Sequence, residues 1–439
     1  MNRSLPIVSL MVLLAACIAP SAFGQVEPGD VITPANAAKV AGLVSPGNYV
    51  LVRQGMQMDI VKTVSYPWPP PYKQATEQYS SQVKLGAHGT PKGYNAGLPF
   101  PNLDANDPQI ALKIMWNYEF GPAYTDDLDS RNDLIVDYAP GHPGNPFESY
   151  PVGHLAVYHN VGRTEVSPVP RDPDNQSGIS ERIALGPVMI PIEPPFWQAP
   201  WTSLIWYRYD SPKRVDLVWN GDSPWTAASS AGSLGIGMTS TSWMLENSFL
   251  GNLDADSLFG FSGKLTDWNF KFLGIRNMLA SVHAKSLPAK ACAADGDRTI
   301  CPENWEMRRV YVIEADAKRA GYLGDRPPII RRILYIDAEG WFITASDQYD
   351  HNGQLWKTLA IFNTVRDREF PDSRISIFPF PRLFQTAMVD EDVQSGYSTI
   401  LYTPNPQRPD RDTWFINQGV ISRHWIVPQR FTTYRQYFF

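Results

Sequence analysis

The sequence predicts an α+β protein, mainly β: a large curved antiparallel sheet, an open half-barrel, packed around helices and carrying Pro-rich loops. Three observations point there. The 439 residues include 39 Pro, about 9% against a typical ~5%, a density that breaks helices and suits strands joined by loops. Aromatic residues reach 12% while charged residues are only 19%, so the chain can bury a large core instead of staying disordered. From about residue 130 onward, short apolar runs recur with period two between turn signals. The formal charge, 38 − 44 = −6, comes without a basic run, which argues against nucleic acid as a partner.

Residues 1–24 read as a signal peptide. Asn2 and Arg3 precede an apolar run, Leu5 to Ala16, that is too short to span a bilayer. Two processing sites compete. Ala22-Phe23-Gly24 before Gln25 has the small–x–small pattern and is favoured, which starts the mature chain at Gln25. Leu14-Ala15-Ala16-Cys17 has the form of a lipobox, which would make Cys17 a lipidated first residue anchored to the outer membrane. Both predict secretion to the periplasm. Export then leaves Cys292 and Cys301 as an even pair in an oxidising compartment. The turn-rich segment 293–298 lets them close a disulfide, with paired free thiols as the alternative. The seven His show no ligand spacing, so neither a metal nor a cofactor is expected.

Residues 25–439 read as a single domain, helical and Pro-rich over 25–120 and mostly antiparallel sheet over 130–439. Thr33-Pro34 opens a short helix to about Leu43, with Thr33 as its cap. The run Tyr66 to Tyr72 is expected to be extended, and Tyr72, Ala75, Tyr79 and Val83 follow at helical spacing. Asp107-Pro108 caps a third helix with Ile110, Ile114 and Tyr118 on one face. Leu134–Tyr138 and His154–Tyr158 read as short strands, and Leu204–Asp210 with Arg214–Trp219 as a hairpin. Ser240 to Phe259 is a helix-compatible insert. Arg309 to Phe362 forms a four-strand meander, and Arg430 to Phe439 is a last strand-like run. In the meander both faces carry apolar residues, so each must be covered or line a cavity.

Catalytic signals are weak. Ala231-Gly232-Ser233-Leu234-Gly235 lacks the first Gly of a nucleophile elbow. Asp254, Asp256 and Asp390-Glu391-Asp392 could hold calcium, but solvated loop charge is the commoner explanation. Arg331, Arg332, Glu314 and Asp337 suit ion pairs across strands better than acid–base catalysis.

Three segments carry a resemblance to a known family. They are Gly97-Leu98-Pro99-Phe100-Pro101, the run Asp256–Gly274, and the block from Arg308 to Lys357 that includes Tyr349-Asp350-His351-Asn352-Gly353. Together they resemble a family of proteobacterial secreted proteins of unknown function, labelled outer-membrane lipoprotein-sorting proteins. The resemblance implies the LolA/LolB-like fold of the periplasmic lipoprotein carrier and its outer-membrane receptor: a half-barrel around helices enclosing an apolar cavity. It implies no catalytic residues. The implied setting is the cell envelope, with an inner-membrane exporter or an outer-membrane barrel protein as partner. This chain is more than twice the size of the small carriers, and the segment holding Cys292 and Cys301 departs from the family pattern.

Three function classes follow: a carrier of a lipid or other hydrophobic small molecule, a ligand-free accessory subunit of an envelope transporter or barrel protein, and an envelope-polymer hydrolase. The residues favour the first. Trp206 and Tyr207 lie in one strand and Trp219 in the next, while Trp268 and Phe270 alternate in a third. A strand packed on one side only would carry polar residues opposite them, so these five are the candidate ligand-binding residues. The expected cavity lies between the sheet and the insert at 240–260, with a second covering layer as the alternative.

Overall fold

The computed structural model describes residues 26–173 apart from 87–88, 143 and 145, the backbone of five strands between 183 and 227, and 253–422 apart from 254, 263–264, 266–267, 319–330 and 375. The processing sites at Cys17, Gly24 and Gln25, most of the 240–260 insert and the run 430–439 lie outside the described residues. The N-terminal segment forms β1 (Val31–Ile32), a 3-10 helix (Pro34–Val40), α1 (Pro46–Gln54) and β2 (Met58–Val61). Thr33 caps the 3-10 helix as expected, its N–H donating to Asn36 Oδ1 at 2.7 Å. The sequence reading had no helix at 46–54. Its signals are caps: Ser45 Oγ accepts from Asn48 N at 3.0 Å, and Gly55 ends it at φ 139°.

Next come α2 (Pro70–Tyr79), the short strands β3 (Lys84–Leu85) and β4 (Pro91–Lys92), and α3 (Ile110–Glu119). The expectation of an extended run through Tyr72 is corrected, because α2 starts at Pro70. Proline is tolerated in a first helical turn, where its missing N–H has no partner to lose. Asp107 does not sit at the cap position of α3, which is Gln109, but fixes the turn before the helix by accepting from Gln109 N at 2.8 Å. The Gly97–Pro101 segment clamps the two helices together. Leu98 N donates to Thr76 Oγ1 at 2.8 Å, and Phe100 exchanges two hydrogen bonds with the Asn117 amide, at 2.9 and 2.8 Å.

The remaining strands are β5 (Asp127–Tyr138), β6 (Pro146–Tyr158), β7 (Ile183–Leu185), β8 (Val188–Ile190), β9 (Thr202–Arg208), β10 (Arg214–Asn220) and β11 (Ser223–Ala227). A 3-10 helix (Ala255–Gly260) precedes β12 (Trp268–Ala280), β13 (Glu303–Ala317), β14 (Arg331–Asp337) and β15 (Ile343–Tyr349). Then come β16 (Leu355–Arg368), β17 (Ile377–Asp392), β18 (Ser398–Tyr402) and β19 (Trp414–Ile416). A continuous ladder runs β12-β13-β14-β15-β16-β17-β18-β5-β6-β8, with β1 and β2 joined to β13 and β19 joined to β5. Its ends do not pair, so the sheet stays open. The pairing is antiparallel except that β2 adds to β13 in parallel, which makes the sheet mixed where the sequence predicted an antiparallel one. β7, β9, β10 and β11 form a separate four-strand sheet.

Both faces are apolar and both are covered. Ile135, Leu334, Ile336, Leu359, Ile361, Met388 and Leu401 share a core with α2, α3 and the 253–268 segment. Their strand neighbours Leu134, Val136, Ala360, Phe362, Ala387, Val389 and Ile400 share another with α1 and the first 3-10 helix. Period-two geometry sends successive side chains into the two cores in turn. Strands β5 and β6 are far longer than the apolar runs inside them. Their extension carries Asp127, Asp129 and Asp133, all fully buried, which a search for apolar alternation passes over. The expectation of solvated charge at 390–392 is likewise corrected: Asp390 and Glu391 are fully buried, and Glu391 pairs with Arg298. Arg331 does meet Glu314 across strands, at 3.7 Å.

Cys292 and Cys301 form a disulfide, with Cα atoms 4.5 Å apart. The loop between them turns at Gly296, φ 79°, and Ile300 beside it joins the core under α1. Closing a loop of this length should stabilise the fold by about 2–3 kcal/mol in the chain-entropy model. Cys292→Ala/Cys301→Ala should therefore melt at lower temperature, because the loop braces the core under α1. A melting temperature equal to wild type would refute the estimate.

Candidate functional site

A cavity of about 140 Å³ opens between the sheet and the segment that covers it. Its floor is the face shared with α3. Leu128, Leu155 and Val157 come from β5 and β6, Ile343 and Ile361 from β15 and β16, and Leu383, Leu401, Trp414 and Ile416 from β17 to β19. The roof is Tyr118 at the end of α3, the following turn to Tyr124, and Phe259 to Ser262. Gly260 lets that roof lie on the floor. At φ 91° it occupies a conformation other residues rarely adopt, and a Cβ there would stand 2.5 Å from Ile343 Cγ2 and 2.9 Å from Ile361 Cδ1. The Tyr118 hydroxyl donates to the Phe261 carbonyl and fixes the roof to α3. Burial raises the pKa of Tyr118 well above its ordinary value, so it stays a neutral donor.

Buried carboxylates hold the rim. Asp126 accepts from the backbone N–H of Thr164, Glu165 and Val166, at 2.6, 2.8 and 2.6 Å. Asp127 accepts from those of Gly419 and Ile421, at 3.0 and 3.2 Å. Desolvation raises both, Asp127 to about 6, against the lowering effect of those hydrogen bonds.

The polar lining is sparse: Glu119, Ser130, His159, Ser262, Asn363, Gln385 and Thr403. Among the described lining residues there is one carboxylate and no Lys or Arg. The His159 ring stands edge-on to Tyr124, at 5.7 Å between centroids. Among the described residues no group of three or more His, Cys, Asp or Glu is placed to hold a metal ion. The arrangement suits retention of an apolar group, with few directional contacts.

The five residues singled out from the sequence fall in two places. Trp268 and Phe270 pack on Phe261, with ring centroids 5.3 and 6.2 Å apart, and Phe261 lines the cavity. They stand behind the wall, with the Arg332 guanidinium 5.4 Å from the Trp268 ring and donating to Ser257 Oγ at 2.8 Å. Trp206 and Tyr207 lie in β9 and Trp219 in β10, in the separate four-strand sheet. The register sets Trp206 against Val215 and Trp219 against Thr202, and the side chains of these strands lie outside the described residues. Sequence reasoning missed the lining from β5, β17, β18 and β19. Leu383, Leu401, Trp414 and Ile416 are ordinary strand residues, and only the curvature of the sheet turns them towards one space.

No curated protein matches the sequence. Among solved structures, a DUF1329 family protein from Desulfovibrio piger is 12% identical over 72% of this chain and 96% of its own, with a TM-score of 0.40. A putative outer membrane lipoprotein-sorting protein domain from Vibrio parahaemolyticus is 12% identical over 74% and 97%, at 0.38. A LolA superfamily protein from Nitrosomonas europaea is 14% identical over 63% and 84%, at 0.26. The family model described as protein of unknown function (DUF1329) matches residues 31–142 and 246–419, which is more than half of the chain and takes in all three segments singled out from the sequence, so the protein belongs to the DUF1329 family.

Proposed function

We propose that this protein is a non-enzymatic periplasmic component of the cell envelope that binds a lipid-like or other hydrophobic molecule and carries or holds it towards the outer membrane. The observation that carries this reading is the apolar cavity between the curved sheet and its roof. Its volume fixes what can enter. A cavity near 150 Å³ takes one benzene-sized group, so about six carbons fit in 140 Å³ without movement. At ~0.8 kcal/mol per CH₂ that burial is about 5 kcal/mol, comparable with the cost of association. Useful affinity for a long acyl chain therefore requires the 255–262 roof to move and expose more apolar wall, Trp268 and Phe270 included. Trp206, Tyr207 and Trp219 are proposed to extend the apolar contact surface.

Titration with the neutral probe N-phenyl-1-naphthylamine tests the reading. Wild type should show saturable fluorescence enhancement. Ile361→Trp, which fills the floor, should weaken it at least tenfold in protein that still melts cooperatively, while Trp206→Glu and Trp268→Glu probe the extended surface. Absence of saturable binding by wild type would overturn the proposal.

A further inference from the structure

Two uncommitted amides sit side by side on the cavity floor. Asn363 in β16 and Gln385 in β17 are directly paired across the ladder, and both line the cavity. The register shifts between Phe362 and Asn363, so the pair stands at a β-bulge, and it is the shared cavity lining that puts both side chains on one face. Asn363 is 3% exposed, and its Nδ2 has no hydrogen-bond partner. The half-buried Gln385 amide likewise makes no hydrogen bond among the described residues. The other hydroxyls of the floor are already engaged: Ser130 Oγ donates to Asp133 Oδ1 at 2.8 Å, and Thr403 Oγ1 donates to the Gln385 carbonyl. Buried polar groups are nearly always satisfied in folded proteins, and an unmade bond there is costly. Two adjacent amides offering both donors and acceptors, inside walls of Leu and Ile, therefore mark the place of a ligand's polar group.

We infer that Asn363 and Gln385 recognise a neutral hydrogen-bonding head, an ester carbonyl or an alcohol, on an otherwise apolar ligand. The charge balance of the site selects neutrality. With no Lys or Arg among the described lining residues and Glu119 present, a carboxylate or phosphate would be desolvated without a counter-charge. An ester or alcohol asks only for the bonds these amides can make. The inference rests on the carrier reading and adds the class of ligand.

Displacement of N-phenyl-1-naphthylamine by eight-carbon competitors tests it: octane, 1-octanol, methyl octanoate and octanoate. A purely apolar cavity prefers the alkane, because an alcohol or ester loses water there. Wild type should instead bind octanol and methyl octanoate at least tenfold more tightly than octane or octanoate. In Asn363→Leu/Gln385→Leu the order should invert to favour octane. Octane equal to octanol in wild type, or octanoate ahead of both, would overturn the inference. If the double variant does not fold, the wild-type ranking decides alone. Absence of probe binding would remove the carrier reading together with the inference, whereas probe binding with the alkane ranked first removes only the amide head-group site.

Discussion

Arg308→Met should unfold with about 3–5 kcal/mol less free energy than wild type, the cost expected when one member of a buried ion pair is removed. The Arg308 side chain is 3% exposed. Its Nε and Nη2 donate to the two Asp337 carboxylate oxygens at 2.7 and 3.2 Å, and its Nη1 donates to Glu306 Oε1 at 3.1 Å and to the Val64 carbonyl at 2.7 Å. Nη2 also reaches Glu339 Oε2 at 2.8 Å. One guanidinium thus ties β13 to the turn after β14 and to the chain entering α2. Methionine conserves much of the volume but leaves Asp337 and Glu306, each 1% exposed, as buried anions. Arg308→Lys should also be costly, since an ammonium cannot reproduce the planar fork. A denaturant-unfolding cycle with Asp337→Asn checks the cause. The double variant should be more stable than the sum of the singles predicts, by about 1 kcal/mol or more. Strict additivity would show that packing, not charge, sets the cost.

Asp347 should make the protein lose stability as pH rises from about 4 to 7. Its carboxylate is fully buried under the N-terminus of α1. It accepts from Ser45 Oγ at 3.0 Å, Gly47 N at 3.2 Å, Thr358 Oγ1 at 2.9 Å and Tyr335 OH at 3.4 Å. Gly47 is required for this approach, because a Cβ there would lie 2.1 Å from Thr358 Oγ1. Desolvation outweighs the four donors and raises the pKa from 3.8 to about 6. Between those values the folded state binds more protons than the unfolded state. Stability from this group is thus present at low pH and is lost as pH rises towards the folded value. A shift of about two units corresponds to about 3 kcal/mol. Asp127 and Glu369, raised to about 6 and about 7, add slopes of the same sign, so the comparison must be between proteins. Asp347→Asn should flatten the decline from pH 4 to pH 7 by about 2 kcal/mol, the part of that total that falls inside this window. An identical slope in the variant would refute the assignment.

By itself the sequence determined the class of fold, the helices α2 and α3, and the staple. Turn residues around Asp337-Ala338-Glu339-Gly340 and Asp350-His351-Asn352-Gly353 delimit β14 to β16, because turns are written in local backbone chemistry. Apolar residues on both faces required that each be covered or line a cavity, and both faces are covered. The even pair of cysteines closes one loop. The local rules failed where a strand is held by buried carboxylates, as at Asp127 to Asp133, or where a helix is defined by its caps, as at Ser45 and Gly55. The cavity was decided by tertiary structure alone. Its floor draws on β5, β6 and β15 to β19, whose residues lie up to about 290 positions apart, and only the curvature of the sheet brings them around one space. Asn363 and Gln385 read in the sequence as ordinary polar strand positions. Cross-strand register and the roof at Gly260 together enclose them, because register and burial are properties of the assembled sheet and no single strand contains them.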